Sequence, residues 1–234
     1  MSNSNQQIVV ASYPNGPVLE ENFKLVESPI PKPGANQVLI KNEWLSLDPY
    51  MRGRLSNAKS YAKSAEIGEV MVGGTVGTVV ESNSSKFKVG DQVVGATGWQ
   101  LYATANENEI SRINTSKVSA SAYLGVLGMP GVTAWTGLMD ICDPKAGETV
   151  VVDAASGAVG SVVGQLAKAK GCRVVGIAGG KAKCDYVVNE LGFDTCVDHR
   201  SPTFKADLKA ALPNGIDCLF ENVGGEIFET LLMR

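Results

Sequence analysis

Residues 150–184 read VVVDAASGAVGSVVGQLAKAKGCRVVGIAGGKAKC, and this stretch decides the fold. It runs as an apolar strand, a small-residue turn, a helix that stops at Gly171, and a second apolar strand. Ala155, Gly157 and Gly160 stand at the spacing of the GxGxxG fingerprint, with alanine in the first place. Each position has a physical task. The second lets backbone approach a pyrophosphate, the third lets helix and strand pack closely, and free amides at the helix N-terminus receive the phosphates. Alanine serves in the first place where no positive φ is required. Alone the motif is weak, but its position between strand and helix in a βαβ unit predicts a dinucleotide site.

The next strand bears on which dinucleotide. NAD sites carry Asp or Glu about 20 residues past the fingerprint, bonding the ribose 2′-hydroxyl. This chain has GIAGGKAKC there, with Gly179 and Gly180 leading into Lys181 and Lys183. A carboxylate would repel a 2′-phosphate, whereas lysine pairs with it. NADPH is therefore favoured, with Lys183 the stronger candidate of the two; the bland alternative is a pair of solvated lysines at a helix start. Strand and helix keep alternating through DTCVDH, SPTFKADLKAAL, IDCLFENVGG and EIFETLLMR. That order predicts a parallel sheet with helices on both faces.

Upstream the character differs. QVLIKNEWLSL alternates apolar and polar residues, and the stretch from MVGG to YATA breaks into short strands at Gly, Asn and Ser turns. Such spacing predicts a small barrel or sandwich. The division falls between 1–125 and 126–234, with a helix expected from Pro130 onward.

Composition limits the function classes. With 44% hydrophobic and 19% charged residues the chain can bury a core, and a net charge of −3 with no basic run points away from nucleic acid and membrane surfaces. Its apolar runs fall far short of a membrane span, and the polar MSNSNQQ start reads as a frayed end, not a secretory signal. Five cysteines, an odd number without CxxC spacing, argue against a disulfide framework and for a reducing, cytoplasmic compartment. The single histidine is His199, and the first 141 residues hold neither Cys nor His. Asp48 and Glu66 alone make a poor zinc site, so no metal is expected.

LSLDPYMRGR (45–54), VLGMPGVTAWTGL (126–138), AASGAVGS (154–161) and ENVGG (221–225), in this order, resemble the zinc-independent double-bond reductases of the medium-chain dehydrogenase/reductase superfamily. Within that branch the resemblance is strongest to the bacterial curcumin/dihydrocurcumin reductases. It implies an α/β chain: a GroES-like β-barrel domain, then a Rossmann doubly wound parallel sheet. Four strands of the usual six are counted, so the sheet is expected to be incomplete, as is the return of the chain to the first domain. The implied reaction is NADPH-dependent reduction of the C=C bond of an enone or alkenal, hydride going to the β-carbon and a proton to the α-carbon. By the resemblance Gly157, Ala158, Val159 and Gly160 form the phosphate turn. Gly180, Lys183 and His199 meet the adenosine side, His199 standing where many members have tyrosine. Asn222, Met129 and Thr133 face the cofactor, and Tyr50 or Tyr61 supplies the proton or steadies the enolate oxygen. The family also implies a homodimer and a small-molecule enone substrate. Two other readings stay open: an NADPH quinone reductase of the same superfamily, and an inactive nucleotide-binding fragment.

Overall fold

The computed structural model describes residues 4–60 and 62–234, and the chain divides into two compact units, Met1–Leu124 and Gly125–Arg234. In the first unit, β1 (Ser4–Val10) pairs antiparallel with β2 (Phe23–Pro29). β3 (Gln37–Leu45) is followed by a short helix, α1 (Tyr50–Arg54). Then come β4 (Thr75–Ser82), β5 (Gln92–Gly95), β6 (Tyr102–Asn106) and β7 (Ile110–Arg112). The last four strands join β3 in an antiparallel sheet of order β6-β3-β4-β5-β7. Two irregularities between β3 and β4, at Leu39/Ile40 and Asn42/Trp44, curl this sheet. Gly77 permits the closest approach, since a Cβ there would lie 2.3 Å from the Lys41 carbonyl oxygen. Val38, Ile40, Val79, Phe87, Val93 and Ile110 form one buried core on this sheet. Each such aliphatic side chain contributes about 1.5–3 kcal/mol when fully buried.

The second unit opens with α2 (Met129–Trp135), which carries Pro130 in its first turn and widens into a π-helical segment over Thr136–Cys142. β8 (Thr149–Val152), α3 (Gly160–Ala169), β9 (Arg173–Ala178), α4 (Lys181–Asn189), β10 (Thr195–Asp198), α5 (Phe204–Ala211), β11 (Cys218–Phe220) and α6 (Gly225–Leu231) follow. The four strands are parallel, in the order β10-β9-β8-β11. The expected alternation of strand and helix is thus present, and the sheet holds four strands. Its strands read as unbroken apolar runs because both faces are covered. Val150 and Val152 enter one core with Val163, Val174 and Phe193, while Val151 enters the other with Ile177 and Leu208. α3 lies close enough to Phe193 that a Cβ on Gly164 would fall 1.8 Å from its ring.

One expectation is corrected. The structure joins Cys142 and Cys218 in a disulfide across 76 residues. Cys142 ends the π-helical segment and Cys218 opens β11, against which that segment packs. Neither spacing nor an odd count reveals such a pairing, because only the tertiary packing brings the two sulfurs together. Cys172, Cys184 and Cys196 are free. The cysteine count therefore carries no argument about compartment.

Candidate functional site

The candidate site lies at the C-terminal ends of β8, β9, β10 and β11, where a doubly wound sheet meets its ligands. The turn after β8 is built from small residues, and at Gly160 nothing larger fits. The positive φ falls on Ala154, at +43°, and not on Ala155. Left-handed backbone at an alanine costs about 1–2 kcal/mol. Ala155 itself is fully buried, with its N–H donating to the Ile177 carbonyl at 3.0 Å. The Gly157 N–H closes the turn on the Ala154 carbonyl at 2.8 Å, and a Cβ on Gly160 would stand 2.5 Å from that same oxygen. The backbone N–H groups of Ala158, Val159 and Gly160 have no acceptor among the described residues. They open α3, so donors and helix dipole point the same way.

One wall of the site is basic. A cleft of about 230 Å³ lies over the turn, with Gly157, Lys183, His199, Arg200 and Val223 on its walls. Gly179 leaves room for two large side chains: a Cβ there would sit 2.8 Å from His199 Nε2 and 2.9 Å from Arg200 Nε. Gly180, at φ +94°, starts α4 and donates its N–H to Asp198 Oδ1 at 2.7 Å; the Arg200 N–H donates to the same oxygen at 2.9 Å. These two amides hold the Asp198 carboxyl below the usual carboxylate range. Asp198 thereby ties the α4 start to the loop carrying His199 and Arg200. Lys181 is committed to Asp185 at 2.6 Å, whereas Lys183 has no ion pair among the described residues. Arg200 and Ser156, both on this cleft, were not anticipated. The signal for Arg200 was a cation beside His199 at a strand's C-terminal end.

Behind the cleft lining, the C-terminal ends of β8 and β11 carry two acids, Asp153 and Glu221, neither of which lines the cleft itself. The Asn222 N–H donates to Asp153 Oδ1 at 2.7 Å, and Asn222 Nδ2 donates to the Asp153 carbonyl at 3.2 Å. Glu221 Oε1 accepts the N–H groups of Val223 and Gly224, both at 2.5 Å. That turn stops β11 at Phe220, shorter than the run IDCLFENVGG suggests. Burial pushes the Asp153 carboxyl up to about 7, helped by a hydrogen bond with Glu221. Sequence reasoning missed Asp153 and Glu221. Their signal was a carboxylate ending an otherwise apolar strand, in VVVDAA and in LFENVGG.

The remaining candidates are placed differently. Met129 and Thr133 are exposed on α2, the Thr133 hydroxyl donating to the Met129 carbonyl at 2.8 Å, and neither lines the cleft over the turn. Tyr50, in the first unit, is half-buried against Met51 and Leu55, with the Arg54 guanidinium 5.5 Å above its ring. Tyr61 lies outside the described residues. Among those residues no group of three or more His, Cys, Asp or Glu is placed to hold a metal, and no helix is long and apolar enough to cross a membrane.

A curled antiparallel unit followed by a parallel sheet with a glycine-rich phosphate turn defines the class of two-domain nucleotide-dependent oxidoreductases. Residues 6–113 match the family described as the N-terminal domain of oxidoreductase, and residues 158–233 match zinc-binding dehydrogenase. The chain is 50% identical to the NADPH-dependent curcumin reductase of Escherichia coli over 97% of its own length and 66% of that protein. It is 42% identical to the NADP(+)-dependent 2-alkenal reductase of Nicotiana tabacum, over 99% of this chain and 69% of that protein. CurA from Vibrio vulnificus, solved with NADPH, superposes with a TM-score of 0.92 at 52% identity, covering 97% of this chain and 68% of that one. The chain belongs to the medium-chain dehydrogenase/reductase family, in its double-bond reductase branch, with a GroES-like first domain and a Rossmann second domain. It spans about two thirds of the length of these relatives.

Proposed function

We propose that the chain serves NADPH-dependent reduction of the C=C bond of α,β-unsaturated ketones and aldehydes, without a metal. The observation that carries this reading is the cleft over the 154–160 turn. Free amides open α3 on one side, Lys183, His199 and Arg200 stand on the other, and no carboxylate occupies the place that reads a ribose 2′-hydroxyl. These residues fit NADPH. The amides of Ala158, Val159 and Gly160 would receive the pyrophosphate, and Lys183 with Arg200 would pair with the 2′-phosphate. His199 would add a donor on the adenosine side. Asn222, held by Asp153 through two hydrogen bonds, would meet the cofactor at the end of β11. Bound NADPH supplies the hydride.

Reduction of an enone leaves negative charge on the carbonyl oxygen and requires a proton at the α-carbon. With no metal to polarise that oxygen, a hydrogen-bond donor must do so. Tyr50 is our candidate: its phenol would donate to the oxygen or pass the proton, with the Arg54 guanidinium over its ring. Tyr61 is the second candidate. A cytoplasmic location and a homodimer belong to the same reading.

The test is direct. NADPH and NADH are titrated against the purified chain by fluorescence, and then 2-nonenal, curcumin or a quinone is added while absorbance at 340 nm is followed. Preference for NADPH with enone-dependent oxidation supports the proposal. Preference for the quinone would favour the quinone-reductase reading, and binding without turnover would favour a nucleotide-binding fragment.

A further inference from the structure

The carboxyls of Asp153 and Glu221 present an imbalance of donors. Asp153 has no solvent-accessible surface. Its Oδ1 accepts the Asn222 N–H, but its Oδ2 is buried and meets no N–H or hydroxyl donor among the described residues. Glu221 is in the same position: Oε1 accepts two backbone N–H groups, and Oε2 is buried without a donor. The two side chains are within hydrogen-bonding reach of each other. Two acceptors facing one another in a buried place repel unless one carries a proton. With a proton on either oxygen, both orphaned atoms are satisfied at once.

The donor count says where that proton resides. Glu221 receives two N–H groups on one oxygen, which stabilises its charge, while Asp153 receives one and is the more deeply buried. Asp153 is therefore the acid and Glu221 the acceptor. The pKa directions agree, Asp153 pushed up by burial and Glu221 held down by the Gly224 and Val223 amides against its own desolvation. Glu221 is the one ionisable side chain acting on Asp153; Lys183, His199 and Arg200 line the neighbouring cleft.

We infer that Asp153 and Glu221 share one proton and act as a positioning pair that holds Asn222 and the 221–225 turn against the dinucleotide. The inference rests on the nucleotide reading above. Asp153 holds Asn222 by both its backbone N–H and its carboxamide, and Asn222 Oδ1 meets no donor among the described residues, which leaves it to accept from a ligand. Glu221 folds the turn that puts Val223 on the cleft wall. Loss of the shared proton sets two charges side by side in a buried place, and the pair separates. Dinucleotide affinity should then weaken as pH rises through neutrality.

The test measures the NADPH dissociation constant by fluorescence between pH 5.5 and 9 for the wild-type chain and for Asp153→Asn. The asparagine keeps the acceptor for the Asn222 N–H and offers Glu221 a permanent donor. The wild type is expected to bind roughly tenfold more weakly at pH 9 than at pH 6. Every other group is shared by the two proteins, so the difference between the two curves is the reading, and Asp153→Asn should lack the Asp153 step. Parallel curves would overturn the inference. Thermal midpoints over pH 4 to 8 separate the two proposals. A midpoint that falls with pH in the wild type but not in Asp153→Asn supports the shared proton even where NADPH fails to bind, an outcome that sinks the nucleotide reading alone. If Asp153→Asn does not fold, carbon-13 titration of the wild-type carboxyls decides: an Asp153 resonance titrating near 4 overturns the pair, and one near neutrality supports it.

Discussion

Two aspartates stand at the C-terminal ends of β8 and β10, strands of one sheet with β9 between them, and they behave oppositely. Asp198 closes β10, accepts the Gly180 and Arg200 amides, and stays ionised with its carboxyl pulled down. Asp153 follows β8, is buried beside Glu221, and is pushed up to about 7. The strand ends are equivalent in topology, so the difference comes from surroundings: amide donors on one side, apolar burial and a like charge on the other. The β9–β10 side can thus present cations on a carboxylate-anchored loop, while the β8–β11 side needs a proton to keep its turn in place.

The largest effect should come from the turn that both sides share. Gly160→Val places side-chain atoms where even a Cβ meets the Ala154 carbonyl at 2.5 Å. Urea denaturation should show a loss of about 3 kcal/mol, with NADPH binding abolished; unchanged binding would mean the turn does not cradle the ligand. Next in size, Lys183→Glu reverses the charge of the basic wall. NADPH should bind roughly 100-fold more weakly while NADH changes little, and equal losses for both would place Lys183 away from the 2′-phosphate. Arg200→Ala should follow the same pattern at roughly tenfold. Lys181→Ala, whose ammonium is already paired with Asp185, should alter affinity by less than about twofold.

The smallest predicted effect sharpens the contrast between the aspartates themselves. Asp198 has a lowered carboxyl pKa, so its stabilisation is present above the ordinary aspartate value and is lost as pH falls through the folded value. Asp153 has a raised one, so its contribution is complete below the ordinary value and is lost as pH climbs to about 7. Asp198→Asn should flatten the acid limb of the urea midpoint against pH and leave the region between pH 5 and 7 alone. A change in the latter region would tie the two carboxyls together and break the comparison.

The basic side was more legible than the acidic side. Gly157, Gly160 and Lys183 were nominated by the spacing of a fingerprint along one βαβ unit, and His199 by the family resemblance. Arg200 escaped although it adjoins His199, since adjacency gives no direction to a side chain. Asp153 and Glu221 lie 68 positions apart and meet only because β11 pairs in parallel with β8. The Cys142–Cys218 bond has the same origin, a contact made by the π-helical segment lying on β11.

Local pattern by itself determined what is periodic or contiguous: the alternation of strand and helix, the doubly covered sheet, the small-residue turn and the missing acid after β9. Each follows from steric or electrostatic needs that act over a few neighbouring residues. Tertiary structure alone decided which distant groups share a dielectric environment. Burial, like charge and the supply of amide donors set whether an aspartate is an anion or an acid, and those depend on which strands lie side by side.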